Sequence, residues 1–394
     1  MPKRTLDANY FADDKDIFDL LIAARQKLTS QKLVEFARRR GLFLSIEDER
    51  DELIEKISLL PMGWKDLNEL IVATDTVDRT ERVTSRQLFG VKEFQDIEAA
   101  VGLLVETREN RGEVYKPQKV GNHLRVTVCY SELDTSRTRL VQRTQREFVL
   151  EFEAQTTGTI VVRHQDQPRA EEVVAELVGL LASKPGEPID ESRIELTGVR
   201  DATMRTNFFL KLIRGIKGYK FEDVKAVKAS RFRGLDADSS SYIDDECSLD
   251  DLEPLDGDTS DAIGPEEASF VTRVKEIALK GEGLLQSQQY GQLATDGFFV
   301  KSIVWTSTED TDSGTRVEFE SGFVLPEEAK GFTYSVRGMY YRKTDGEFRK
   351  SKVAADPGDR RRLLRLLEDA ARKAKDEIVV SATTSEDPRE DGDA

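Results

Sequence analysis

Glu151 and Glu153 stand two residues apart, as do Glu318 and Glu320. On an extended strand each pair projects from one face, an arrangement that can hold Mg²⁺ for phosphodiester chemistry. A metal nuclease also wants a nearby Lys, and none follows either pair in register. The spacing therefore predicts solvent-facing carboxylates alternating with Phe152 or Phe319 in a core. Other catalytic constellations lack their parts. With two histidines, His123 and His164, and two isolated cysteines, Cys129 and Cys247, no ligand set has zinc spacing and no disulfide framework can form. No GxxxxGK[ST], GxGxxG after a strand, or GxSxG occurs, so nucleotide hydrolysis, dinucleotide binding and nucleophile-elbow chemistry have no support. Neither a metal nor a cofactor is expected, and the chain reads as a non-enzyme.

The charge distribution is more informative. Asp236 to Glu267 holds 13 acidic residues and no Lys or Arg, and Asp376 to Ala394 holds seven acids against Arg389. The formal total is −16, so these two stretches, −13 and −6, leave a slightly basic remainder. The first stretch, rich in Ser, Gly and Pro, cannot bury enough apolar surface to offset its ordering entropy and is predicted to be disordered. It reads as an interdomain loop, or as a polyanion competing with nucleic acid for a basic face of its own protein. Basic residues gather on either side. From Arg200 to Arg233 there are ten against three acids, and from Arg342 to Lys375 twelve against six.

The elements that must position these charges follow from periodicity. Asp16 to Leu28, Gln31 to Arg40 and Glu47 to Leu60 repeat apolar residues at helical spacing, with Gly41 closing the second helix and Pro61 stopping the third. Gly63 to Thr84 and Ser85 to Glu106 are predicted to continue helically. From Glu113 to His164 the period falls to two, as in Leu124, Val126 and Val128, which predicts antiparallel strands. Pro168 opens a helix, Arg193 to Thr197 reads as a short strand, and Asp201 to Lys217 as a helix with Lys211, Arg214 and Lys217 opposite its apolar side. Ala268 to Leu285 is predicted helical. Phe298 to Trp305, Thr315 to Leu325 and Phe332 to Tyr341 read as strands, and a last helix starts at Asp356-Pro357-Gly358-Asp359.

Within the first helices, Leu33, Phe36, Ala37, Arg38, Arg39, Arg40 and Gly41, followed by Leu53, Ile54 and Ile57, resemble the SAP motif, a helix, extended loop, helix unit of many DNA-associated proteins. The resemblance covers about 30 residues. Where that family usually carries a second Gly and a Lys, this chain has Glu47-Asp48-Glu49-Arg50-Asp51. By resemblance, Arg38, Arg39 and Arg40 take the DNA-facing positions.

Together these readings predict an α+β protein. Its expected parts are an N-terminal helical segment over 1–110, an α+β domain over 111–235, the acidic linker 236–267, a second α+β domain over 268–377 and an acidic tail over 378–394. No apolar run approaches the roughly 18 residues of a bilayer span and no hydrophobic leader opens the chain, so a cytoplasmic protein without a membrane partner is expected. The expected function is non-catalytic binding of DNA or RNA, or an adaptor role, through Arg38, Arg39, Arg40, Lys211, Arg214, Lys217, Arg231, Arg233, Arg361, Arg362 and Arg365. The alternative is a scaffold whose acidic loop and tail engage a basic protein partner, and behind it a carboxylate nuclease.

Overall fold

The computed structural model describes residues 12–25, 27–74, 82–91, 93–109, 112–156, 158–182, 189–231, 276–280, 295–311, 314–343 and 346–385. The acidic stretch Asp236 to Glu267, with Cys247, and Arg233 lie outside them. The fold is α+β, with eight α-helices and eleven strands among the described residues. It divides into two compact units that interleave along the sequence. The first takes Met1–Asp78, Lys92–Glu153 and Glu172–Gly186, and the second Arg79–Val91, Ala154–Glu171 and Glu187–Ala394.

The first unit begins with four helices, α1 (Asp14–Ala23), α2 (Ser30–Arg39), α3 (Arg50–Ser58) and α4 (Trp64–Thr74). Asp13 caps α1 by accepting from Asp16 N at 2.8 Å while Asp16 returns the bond to Asp13 N, which satisfies two orphan donors. At the end of α2, Gly41 takes φ +82°. Leu42 N then reaches Ala37 O and Gly41 N reaches Arg38 O, both at 3.0 Å, so the last carbonyls are satisfied as the chain turns away. The helices bury Leu20 and Leu21, Leu33 and Phe36, Ile54 and Ile57, and Leu70 and Ile71 in one core. Arg50, at the start of α3, turns inward and donates to Leu28 O and, at 3.3 Å, to Leu21 O, fastening the α1–α2 connection. Beyond them come α5 (Phe94–Glu109), an antiparallel ladder of β2 (Val114–Val120), β3 (His123–Leu133) and β4 (Arg143–Thr156), and α6 (Pro168–Ala182), whose first turn counts with the second unit. The period of two is realised, since Leu124, Val126 and Val128 face Phe152, Leu150 and Phe148 across β3 and β4, and all six are buried.

The second unit is a sheet in the order β5-β1-β11-β10-β9-β7-β8, every pair antiparallel, with the short β6 also on β1. The strands are β1 (Val83–Phe89), β5 (Thr159–Gln165), β6 (Asp190–Arg193), β7 (Tyr219–Arg231), β8 (Glu276–Lys280), β9 (Phe298–Glu309), β10 (Arg316–Leu325) and β11 (Lys330–Tyr340). Helices α7 (Ala202–Arg214) and α8 (Pro357–Ser385) pack on one face. Their Phe208, Phe209, Leu212, Leu363, Leu367 and Ala371 share a core with Trp305, Phe319, Phe332 and Tyr334 of the sheet.

Three predicted elements are corrected here. Val83–Phe89 is a strand, not part of a helix. Its residues pair with β5 along the whole length and with β6 over the second half, so backbone groups on both edges are satisfied by partners distant in sequence. Glu276–Lys280, predicted helical, is a strand that extends the sheet beyond β7. The short strand expected over Arg193 to Thr197 lies earlier, at Asp190–Arg193, where it reaches the edge of β1.

Candidate nucleic-acid interface

Asp201 caps α7, its side chain accepting from Met204 N at 2.9 Å. The helix sinks Phe208, Phe209, Leu212 and Ile213 into the core, which leaves Lys211 and Arg214 exposed. Helix α8 runs antiparallel to it, with Glu377 beside Lys211, Ala370 beside Gly215 and Arg362 beside Tyr219. Gly215 ends α7, where a Cβ would fall 2.8 Å from the helix's own Lys211 O, while it would meet Ala370 Cβ of α8 at an ordinary 3.8 Å. Small Ala370 and Ala374 keep the seam open. The result is a groove of about 470 Å³ lined by Asn207, Leu210, Lys211, Arg214, Gly215, Ala370, Lys373, Ala374 and Glu377.

Three cations and one carboxylate line this groove. Lys211 pairs with Glu377 and holds its carboxyl below the usual range. Arg214 and Lys373 are exposed and have no ion pair among the described residues. A second cavity, of about 620 Å³, has Arg200, Arg205 and Lys330 against Glu327 and Glu328. There two of the three cations are already committed. The Arg205 guanidinium is spent on the carbonyls of Val199, Pro326 and Glu327, at 2.6, 2.5 and 2.9 Å, and Lys330 pairs with Glu328 at 2.7 Å. The α7/α8 groove therefore has the stronger unneutralised positive charge.

Of the residues singled out in the sequence, Lys211 and Arg214 meet in the groove, and Lys217 is exposed just beyond α7. Arg362 lies farther along the seam, 3.2 Å from Glu309, 3.6 Å from Asp359 and 3.3 Å from the Tyr219 hydroxyl. Arg361 and Arg365 do not line the groove. Arg231 ends β7 with its guanidinium 6.0 Å from the Phe298 ring centroid. In the first unit Arg38 is exposed, Arg39 pairs with Glu69 at 2.7 Å, and Arg40 lies 3.2 Å from Asp66, donates to Pro61 O and sits over the Phe36 ring. Lys373 and Glu377 were missed as site residues. Lys373 lies between Ala370 and Ala374, where small residues signal a close helix contact.

The carboxylate pair Glu318 and Glu320 departs from expectation. Both are buried rather than solvent-facing. Arg337, itself buried, reaches Glu318 and Glu320 at 3.1 Å each, Lys352 reaches Glu318 at 2.9 Å, and Arg82 reaches Glu320 at 2.9 Å. The Tyr340 hydroxyl donates to Glu318 at 2.7 Å and is pushed up by burial and by that carboxylate. Protein cations thus occupy the positive side of this pair. Glu151 and Glu153 are half-buried on β4, opposite Arg125 and His123. Among the described residues no group of three or more His, Cys, Asp and Glu is placed to hold a metal ion. His164 is buried, with Nδ1 2.9 Å from Gln165 O and Nε2 3.3 Å from Glu171. Glu171 also meets Arg86 at 2.5 Å and Arg193 at 2.9 Å. Cys129 is a half-buried free thiol.

No protein-family model matches the chain, and no curated protein sequence is detectably similar to it. Among the described residues no helix is long and apolar enough to cross a membrane.

Proposed function

We propose that this protein binds DNA or RNA without catalysis, as a subunit or adaptor, through the groove between α7 and α8. The observation that carries the reading is the pair Arg214 and Lys373, two exposed cations at a groove whose one carboxylate is already matched by Lys211. A groove lined by small residues with fixed positive charge suits a sugar-phosphate backbone, and Arg214 can bind a phosphate through two N–H groups. The internal pairing of Glu318 and Glu320 with Arg337, Lys352 and Arg82 supports a binding role over carboxylate-metal cleavage. Since Arg39 and Arg40 are engaged with Glu69 and Asp66, the reading rests on the second unit and not on the triple arginine.

Fluorescence anisotropy with labelled duplex DNA and single-stranded RNA at about 50 mM salt tests it, in a regime where phosphate contacts are strong. The paired substitution Arg214→Ala and Lys373→Ala is expected to weaken binding by roughly tenfold for each cation lost. Equal affinity of the wild type and this variant would remove the groove from the account.

A further inference from the structure

The first unit presents a surface of the opposite character. Past Gly41 the chain is extended, with Leu42 and Leu44 packed against the helical core and Phe43 turned out between them, 83 % exposed. Leu59, just after α3, is 64 % exposed and Trp64, opening α4, is 57 % exposed. Arg40 draws these together. Its guanidinium donates to Pro61 O and pairs with Asp66, so the turn between α3 and α4 adjoins the end of α2, from which Phe43 projects. Two large aromatic side chains and a leucine held outward at one end of a packed helical unit are the kind of apolar patch that marks an interaction surface.

The α3 side of this patch's rim is acidic. Glu52, Glu55 and Leu59 follow one another at helical spacing on the outer face of α3, and Glu47, Glu49 and Asp51 are exposed nearby. On α3 itself the cations do not offset them, and the exposed Arg38 and Lys65 lie on α2 and α4. Arg50 points inward to the carbonyls of Leu21 and Leu28, and Lys56 is held between Asp48 at 3.0 Å and Glu52 at 3.4 Å. Such a rim repels a phosphate backbone and attracts lysine and arginine. We infer that this end of the first unit docks a basic amphipathic segment of a protein partner, with its apolar side chains on Phe43, Leu59 and Trp64 and its basic ones against the α3 carboxylates. The inference does not depend on the nucleic-acid reading. If both hold, the two surfaces take partners of opposite charge, as an adaptor requires.

The test uses the full chain and a synthetic Leu/Lys amphipathic peptide of about 14 residues, roughly four helical turns. Trp305 is fully buried, so a change in tryptophan emission on adding the peptide reports Trp64. The expected result is a blue shift that Trp64→Phe abolishes. Calorimetry should show binding weakened about tenfold by Phe43→Ser with Leu59→Ser, and again by Glu52→Lys with Glu55→Lys, as loss of anchors and of rim charge predicts. All four positions are exposed, and circular dichroism confirms that the variants fold. Binding of a lysine-only peptide equally well, with no shift and no response to the Phe43 and Leu59 changes, would overturn the inference and place the interaction on acidic segments elsewhere. A labelled oligonucleotide that quenches Trp64 would overturn it as well.

Discussion

Replacing Glu368 by Gln should destabilise the second unit strongly. Glu368 is fully buried on α8, where it accepts from Arg163, from Arg372 at 3.0 and 3.1 Å and from the Tyr334 hydroxyl at 3.2 Å. Arg163 is itself 2 % exposed, so it cannot find water once the carboxylate is gone. Gln keeps the volume and removes only the charge, which leaves a buried guanidinium without its anion, a loss of about 3–5 kcal/mol. In urea, with a slope of about 3 kcal/mol/M, the unfolding midpoint should fall by roughly 1–1.7 M. Trp305 lies in the same core and provides the fluorescence signal. Replacing both partners, Arg163→Met with Glu368→Met, should recover part of the loss, because an apolar pair has no charge to desolvate. A midpoint for Glu368→Gln within about 0.3 M of the wild type, roughly 1 kcal/mol at that slope, would refute the claim that this ion pair is sealed from solvent.

The same reasoning applied to β10 predicts that Glu318→Gln with Glu320→Gln costs several kcal/mol, of the order seen when buried pairs are broken, because Arg337 is left buried between neutral amides. Urea denaturation checks this, and a silent double variant would return these residues to the solvent face. Stability should also fall in acid through Glu171, whose carboxyl is held far below its usual range, first by His164, whose Nε2 lies 3.3 Å away, and then by the charges of Arg86 and Arg193, against burial. The unfolded chain takes up this proton near the ordinary Glu value of about 4.3 while the folded one does not. The contribution is therefore present above that pH and lost as pH falls towards the folded value, so Glu171→Gln should flatten the dependence of the urea midpoint between about pH 5 and pH 3. An unchanged acid limb would count against it. Finally, exchanging Asp236 to Glu267 for a neutral Gly/Ser linker of equal length should tighten nucleic-acid binding and steepen its salt dependence, since 13 negative charges are removed from the chain. Unaltered affinity in a titration of both proteins would show that the segment is no competitor.

Legibility of the fold depended on how local the determining contacts are. Phe208, Phe209 and Leu212 on α7, Leu363, Leu367 and Ala371 on α8, and the alternation through Leu124, Val126 and Val128 on β3 each carry their period within one element, and each predicted the buried face correctly. Val83–Phe89 does not. Arg86 sits in its middle, nearly fully buried, and only the arrival of Glu171 and Glu191 from other elements makes that position tolerable. Glu318 and Glu320 read as solvent-facing for the same reason, since Arg337 and Lys352 are brought to them by the β10–β11 pairing and the chain that follows it. At the candidate site, Lys211 and Arg214 are three apart on one helix and could be read directly. Lys373 joins them only through the antiparallel packing of α7 on α8, which no local pattern encodes.

The most direct test of the nucleic-acid reading is the slope of binding against salt. If Arg214 and Lys373, the groove cations without an ion pair among the described residues, each neutralise one phosphate, log K plotted against log salt on duplex DNA should fall with a slope of about −1.8. Arg214→Ala with Lys373→Ala should bring it close to zero, while Arg38→Ala, Arg39→Ala and Arg40→Ala together leave it unchanged. No measurable binding to DNA or RNA at about 50 mM salt, or the same slope in the wild type and the groove variant, would contradict the account.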